Sequence, residues 1–569
     1  GYADGTFLPD RTITRAQAVT VINRARGTSK TASALSSDYK SAFSDVDSSY
    51  WAYADIAEAS TKHSCFAGAW VGAKSSSGGG ENEDDTGIDY TAGNAKVAEL
   101  DKLTEARIKA IRESKSDYPE NTGKTYYVSN NGDDTKDGLT PETAWKTLTK
   151  VNTSPFAKGD VVLFERGGLW RARLNAKSNV TYSAYGEGDK PKFYGSPENG
   201  ADAAKWTLAS ENKETGAKIW KYANENMIDV GNIVFDGKSY ARKLNLNYAG
   251  GKFMISKSVE FDMNTHLDTD LTFFHKADSK LNGSSVPDVN TATGAIYLRC
   301  DKGNPGELYK DIEFSTRGNI VSISGNYVTI DNLCIMYGGS HGVGSGSVTG
   351  LTVRNCEIGW IGGSVQNYNS STGALTRFGN GVEIYGSCDD YTVENCYIWQ
   401  NYDAGVTHQY SSTQTGSCTM DNVTYKGNVI EDCVYSIEYF LSVSSDATVN
   451  RSGKNILFED NILRRAGYGF GSTRPDGNVQ CHIRAWTSSN PFENYVIKNN
   501  YFDRSTWGLI QVTAAYKAWF PKMEGNTFIQ GYGNNLAQYG IVEGTMYKMY
   551  ANAEKTIKET FGDADAKVF

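Results

Sequence analysis

Seven short stretches of this chain repeat one pattern: TIDNLCI (329–335), TVRNCEI (352–358), TVENCYI (392–398), TYKGNVI (424–430), LFEDNIL (457–463), VIKNNYF (496–502) and KMEGNTF (522–528). Aligned, they put Leu333, Cys356, Cys396, Asn428, Asn461, Asn500 and Asn526 in one column, at steps of 23, 40, 32, 33, 39 and 26 residues. A fixed inward column with an irregular period is what a solenoid produces when its coils keep their strands and vary their loops. Asn above Asn predicts a hydrogen-bonded ladder inside a turn, and Cys fills the same slot as a small buried residue. That reading accounts for the cysteines better than disulfides do, since the chain has nine of them, an odd number.

A second column runs two residues before the first: Asp331, Arg354, Glu394, Lys426, Glu459, Lys498 and Glu524. The sign alternates at every step. With strands about 4.8 Å apart, these side chains pair up and down an exposed sheet face. Each exposed pair contributes little, roughly 0.2–1 kcal/mol, but a slip of one rung would set like charges together, so the ladder fixes register. Its structural task argues against catalysis on this face, and against Lys426 and Lys498 as bases.

The pattern resembles the right-handed parallel β-helix of pectate-lyase-like carbohydrate enzymes, over about residues 124–540. The expected fold is therefore all-β: a right-handed parallel β-helix over 124–545, with a C-terminal helical tail over 546–569. The 59 Gly, 35 Tyr and 11 Trp suit such a turn-rich, aromatic-rich chain. A net charge of -9 argues against nucleic-acid binding. No apolar run is long enough to span a membrane, and the chain reads as a monomer.

The N-terminal part differs. GYADGTFLP (1–9), ITRAQ (13–17) and FSDVDSSYWA (43–52) resemble the S-layer homology module, with Gln17 and Tyr50 where the family has Glu and His. The resemblance implies a small α-helical fragment over 1–73 that anchors to cell-wall polysaccharide, and hence a secreted protein of a Gram-positive type of surface. The opening at Gly1 implies that the start has been removed. Residues 74–92 read as a flexible linker. Over 93–123, Val97, Leu100, Leu103, Ile108 and Ile111 at near-helical spacing predict an amphipathic helix that covers the open end of the solenoid. Asp133, Asp134 and Asp137 form an Asx-rich turn that could also hold a structural Ca²⁺. No other cofactor and no catalytic metal is expected, because the chain has neither a CxxC nor an HExxH motif.

The strand after the Asn turn supplies the candidate site. Reading Val343, Val406, Ile437, Phe470 and Leu509 as inward leaves Gly342, Gly405, Ser436, Gly469 and Gly508 on one side of it, and Gly344, Thr407, Glu438, Gly471 and Ile510 on the other. Glu438 then stands alone on a smooth glycine trough that suits a chain of sugars. Asp403 lies one rung below and Glu383 on the preceding strand, within a few rungs of one groove. His408, His482, Arg474, Arg484 and Trp486, with Trp399, Trp507 and Asp476, surround the same groove as substrate-binding candidates. Two carboxyl groups, one acid and one base or nucleophile, are what glycosidic hydrolysis requires. Glu438, Asp403 and Glu383 are the candidates for a glycoside hydrolase acting on a polysaccharide or oligosaccharide. A lyase with Arg474 or Arg484 as base, and a non-catalytic glycan-binding surface protein, are the alternatives.

Overall fold

The computed structural model describes residues 91–116, 123–277, 288–475 and 479–569, together with Ile56. The S-layer-like stretches, residues 74–90 of the expected linker and Asp476 lie outside these residues.

Three sheets of ten or eleven strands run the length of the solenoid, parallel except for the last strand of the third, Thr545–Lys548. In one coil, Cys388–Glu394 lies in the first sheet, Tyr397–Asn401 in the second and Ala404–Tyr410 in the third, before Cys418–Lys426 returns to the first. The charge ladder is in the expected register, from Asp331 opposite Arg354 through to Lys498 opposite Glu524. Glu459 pairs with Lys426 on one side (3.0 Å) and Lys498 on the other (2.9 Å).

The Asn column forms the turn between the first and second sheets. Asn428, Asn461 and Asn500 each donate a side-chain amide N–H to the Oδ1 of the next Asn, at 3.0, 2.9 and 3.1 Å. Each of those Oδ1 atoms also accepts the backbone N–H one rung back. Asp563 ends the ladder by accepting the Asn526 amide at 2.8 Å. The residue before the column is left-handed at each coil: Asn332, Asn355, Asn395, Gly427, Asp460, Asn499 and Gly525. Asn, Asp and Gly are the residues that tolerate that conformation, which explains the sequence around each ladder position. Inside, the sheets contribute continuous aliphatic and aromatic columns, such as Val343, Val382, Val406, Ile437, Ile483 and Ile510 from the third. Among the described residues, eight cysteines are buried and unpaired.

Three expectations are corrected. The N-terminal helix, Thr91–Glu113, does not cover an end of the solenoid. It lies lengthwise on the second sheet, packing Leu100 and Ile111 on Tyr397, Val429, Ile462 and Ile529 from successive rungs. Arg107 and Arg112 add ion pairs to Asp460 and Glu357. An amphipathic stripe states that a helix needs an apolar partner, not which surface supplies it. Second, the β-helix is interrupted. Between Tyr194 and Val321 the chain builds a five-stranded sheet and a three-stranded antiparallel sheet with their own core, including Trp206, Tyr222, Phe273 and Phe314. Third, the last residues are not a plain helical tail: strands Thr545–Lys548 and Lys567–Val568 flank a short helical segment whose Ile557 and Phe561 are buried.

Candidate active site

The outer face of the third sheet carries the candidate residues, with a different column from the one the sequence suggested. Ile437 is followed one rung on by Ile483 and then Ile510, not by Phe470 and Leu509. Phe470–Thr473 is a 3₁₀ turn in an excursion between the second and third sheets, so its glycines are not rungs at all. A one-residue slip at Leu509 exchanges inside for outside. The outward column is Ser322, Gly344, Glu383, Thr407, Glu438, Arg484, Gln511 and Gln538, with Glu383 below Thr407 by continuation of the Val382–Val406 pair.

The glycine trough is also corrected. A Cβ on Gly342 or Gly405 would meet the Cγ2 of Ile358 at 2.8 Å or of Ile430 at 2.5 Å. These glycines let the third sheet bend tightly over the second, and they do not offer bare backbone to a ligand. Asn319 covers Gly344, where a Cβ would lie 2.5 Å from its amide nitrogen.

The three carboxyl groups do converge. Glu438 is only 4% exposed and accepts a hydrogen bond from Gln409 Nε2. Burial first, and the negative charge of Asp403 next, push its carboxyl well above the ordinary carboxylate range, against Arg474 and Arg484, with a smaller upward push from Glu383. Asp403 sits at the bend before Ala404–Tyr410 and is ion-paired with Arg474, both side chains being buried. Glu383 behaves in the opposite way. Burial raises it, but the charge and hydrogen bond of His341 and a hydrogen bond from Asn380 more than offset this, so it is held below its ordinary value. His341 Nδ1 lies 2.7 Å and Asn380 Nδ2 2.5 Å from Glu383 Oε2. Asn380 Oδ1 also accepts the Ala404 N–H at 2.7 Å, which ties Glu383 to the strand beginning beside Asp403.

Arg484 is buried and lies over the ring of Trp486, 4.3 Å from its centroid, and Trp486 is 45% exposed beside it. Tyr385 and Phe440 form an edge-on aromatic pair on the same face. These groups fit a sugar-binding surface.

Other candidates leave the site. His408 points into the core, stacked on Tyr439 with Nδ1 2.9 Å from Tyr425 Oη, and burial lowers it to about 3. Period two demands this, because His408 shares the inward parity of Val406. His482 is buried at the bend, near Ser436 Oγ (3.0 Å) and the carbonyls of Asp503 and Arg504, and burial lowers it to about 4. Trp399 stacks on Tyr397 on the second sheet, and Trp507 packs near the bend against Ala404 and Tyr435. Asp133, Asp134 and Asp137 each accept hydrogen bonds from separate turn residues, Thr135, Thr147 and Thr143 respectively. No group of three or more His, Cys, Asp or Glu side chains is disposed to hold a metal among the described residues.

His341, Asn380, Gln409 and Gln511 were not singled out from sequence. The signal for the first two was present: HGV (341–343), NGV (380–382) and AGV (404–406) align as the starts of successive third-sheet strands.

A model of the S-layer homology domain matches residues 1–19. A lacto-N-biosidase of Bifidobacterium longum subsp. longum is 27% identical over 203 residues, covering 32% of this chain and 12% of the relative's length. Among solved structures, XylC with xylose covers 78% of this chain and 82% of its own at 10% identity, with a TM-score of 0.42. The GH136 lacto-N-biosidase of Eubacterium ramulus covers 80% and 71% at 14% identity, with a TM-score of 0.34. An alginate lyase of Paenibacillus covers 70% and 97% at 11% identity, with a TM-score of 0.35.

Proposed function

We propose that the protein is a glycoside hydrolase whose active site is the third-sheet face of a right-handed parallel β-helix. The observation that carries this is the opposed state of two carboxyl groups in one column: Glu438 held towards its protonated form and Glu383 towards its ionised form. Environments that drive two carboxyl groups apart assign acid and base. Glu438 donates its proton to the leaving glycosidic oxygen. Glu383, oriented by His341 and Asn380, acts as base or nucleophile at the sugar. Asp403, ion-paired with Arg474, adds its negative charge to burial in raising the proton affinity of Glu438, against the two arginines. Arg484 and Trp486 bind the substrate.

The lacto-N-biosidase relative makes a lacto-N-bioside-type oligosaccharide the first substrate to try. The S-layer match supports a protein held at a cell surface through cell-wall polysaccharide. The lyase reading would need Arg474 or Arg484 as base, yet Arg474 is engaged by Asp403 and Arg484 donates to Gln511.

The test is incubation with plant, bacterial and host glycans, following reducing ends together with absorbance of unsaturated uronic products. Reducing ends alone support the hydrolase. Both signals make it a lyase, and neither, with binding retained, makes it a glycan-binding protein.

A further inference from the structure

Arg484 is the first member of a hydrogen-bonded row that runs up the outward column, away from the carboxyl groups. Its Nη1 donates to Gln511 Oε1. Gln511 Nε2 donates to Gln538 Oε1 at 2.9 Å, and Gln538 Nε2 donates to the backbone carbonyl of Glu543 at 2.7 Å. Glu543 lies in the exposed turn between Asn535–Ile541 and Thr545–Lys548. The three side chains occupy consecutive rungs in register.

The ends of this row fix its direction. A guanidinium can only donate and a carbonyl can only accept. The two amides between them must therefore point the same way, each with its oxygen towards Arg484 and its NH₂ towards Glu543. If Gln538 is lost, Gln511 keeps the charge-assisted bond from Arg484 but loses the acceptor that holds its NH₂. The Arg484–Gln511 pair is then tethered at one end only, and Arg484 is free to shift. Arg484 cannot move without changing its contact with the Trp486 ring and its distance from Glu438, its neighbour in the column.

We infer that Gln511 and Gln538 are positioning residues, a polar relay that sets the place of Arg484 and Trp486 in the groove from a turn two rungs beyond Arg484. The relay itself stands on geometry, and its effect on turnover rests on the hydrolase reading above. The bond from Arg484 is charge-assisted and so the strongest of the row, and the amide-to-amide bond is what ties it to the turn. Gln511 and Gln538 are only half-buried, so changing them does not open the core.

The relay predicts non-additivity. In Gln511→Glu, the carboxylate still accepts from Arg484 but has no N–H to give to Gln538 Oε1, so the link that Gln538→Leu would break is already gone. The experiment labels the protein with 5-fluorotryptophan and identifies the Trp486 resonance with Trp486→Phe. Gln538→Leu is expected to shift or broaden the Trp486 ¹⁹F signal in the otherwise native protein and to leave it unmoved in the Gln511→Glu background. Turnover is expected to follow the same cycle: a loss of about tenfold in kcat from Gln538→Leu alone, and none beyond that of Gln511→Glu in the double variant. A Trp486 signal indifferent to Gln538→Leu, or moved equally in both backgrounds, overturns the relay. The expected ¹⁹F pattern with no turnover on any glycan upholds the relay and counts against the hydrolase reading instead.

Discussion

Glu438 and Arg484 face each other on adjacent rungs, at paired positions of the third sheet. The pair has the same topology as the Lys426–Glu459–Lys498 steps of the structural charge ladder on the first sheet, but burial separates it from them. In the ladder, the Lys426 and Lys498 side chains are 52% and 32% exposed. Glu438 and Arg484 are 4% and 7% exposed, and burial pushes the Glu438 carboxyl up, whereas hydrogen bonding to Lys498 and Lys426 holds that of Glu459 down. A buried acid with a high proton affinity beside an exposed aromatic face is an arrangement that stability alone does not call for.

His341 is expected to set the acidic limb of the pH–rate profile. It is the group that holds Glu383 below its ordinary value against burial. In His341→Phe, burial acts unopposed apart from Asn380, so the Glu383 carboxyl rises and the base is protonated at higher pH. The acidic limb of kcat/KM should move to higher pH while the basic limb stays. A limb that does not move rules Glu383 out as the base.

Asp403→Asn should shift the other limb. Removing the charge that raises Glu438 most after burial, and leaving Arg474 cationic, lowers Glu438. The acid is then lost at lower pH, so the basic limb moves down, with a fall of about 10- to 100-fold at neutral pH. Unchanged pH dependence would show that Asp403 does not tune Glu438.

The Asn ladder should behave as a stability element without catalytic effect. Asn461→Ala leaves the Asn428 N–H and NH₂ and the Tyr425 carbonyl without their partner. A loss of about 3 kcal/mol in urea unfolding is expected, since several buried polar groups lose their bonds together. A loss below about 1 kcal/mol would mean that the ladder is replaceable by water.

The Asp133–Asp137 turn should be indifferent to calcium. Each carboxylate is already used within its own turn, by Thr135, Thr147 or Thr143. Chelation should leave Tm unchanged, and a fall in Tm restored by added Ca²⁺ would contradict this.

The sequence revealed those parts of the fold that repeat with a fixed local partner. Cys356 to Asn526 declare a turn because each needs a left-handed residue before it and another ladder member above it. Asp331 to Glu524 declare a register because a slip is electrostatically unfavourable. The third sheet was harder to read. Its rungs are separated by excursions of unequal length, such as the one through Phe470–Thr473, so the link from Ile437 to Ile483 has no fixed offset. The antiparallel insertion between Tyr194 and Val321 shows only short strands and turns, and these look like irregular coils. Glu438 and Glu383 stand out because carboxyl groups in apolar strands are conspicuous, and Asp403 because it directly precedes such a strand. His408 and His482 were placed in the groove because a His suits a core and a site equally well in sequence, and only the parity of Val406 and the bend at Ser436 decide.

The most direct test of the account is Glu438→Gln, assayed on whichever glycan the native protein cleaves, with thermal unfolding as the folding control. Gln keeps the shape and the contact with Gln409 but has no proton to give to the leaving oxygen. A loss of about a thousandfold in kcat, with Tm unchanged or raised, is the predicted result. Full activity in Glu438→Gln would contradict the assignment of this face as the active site.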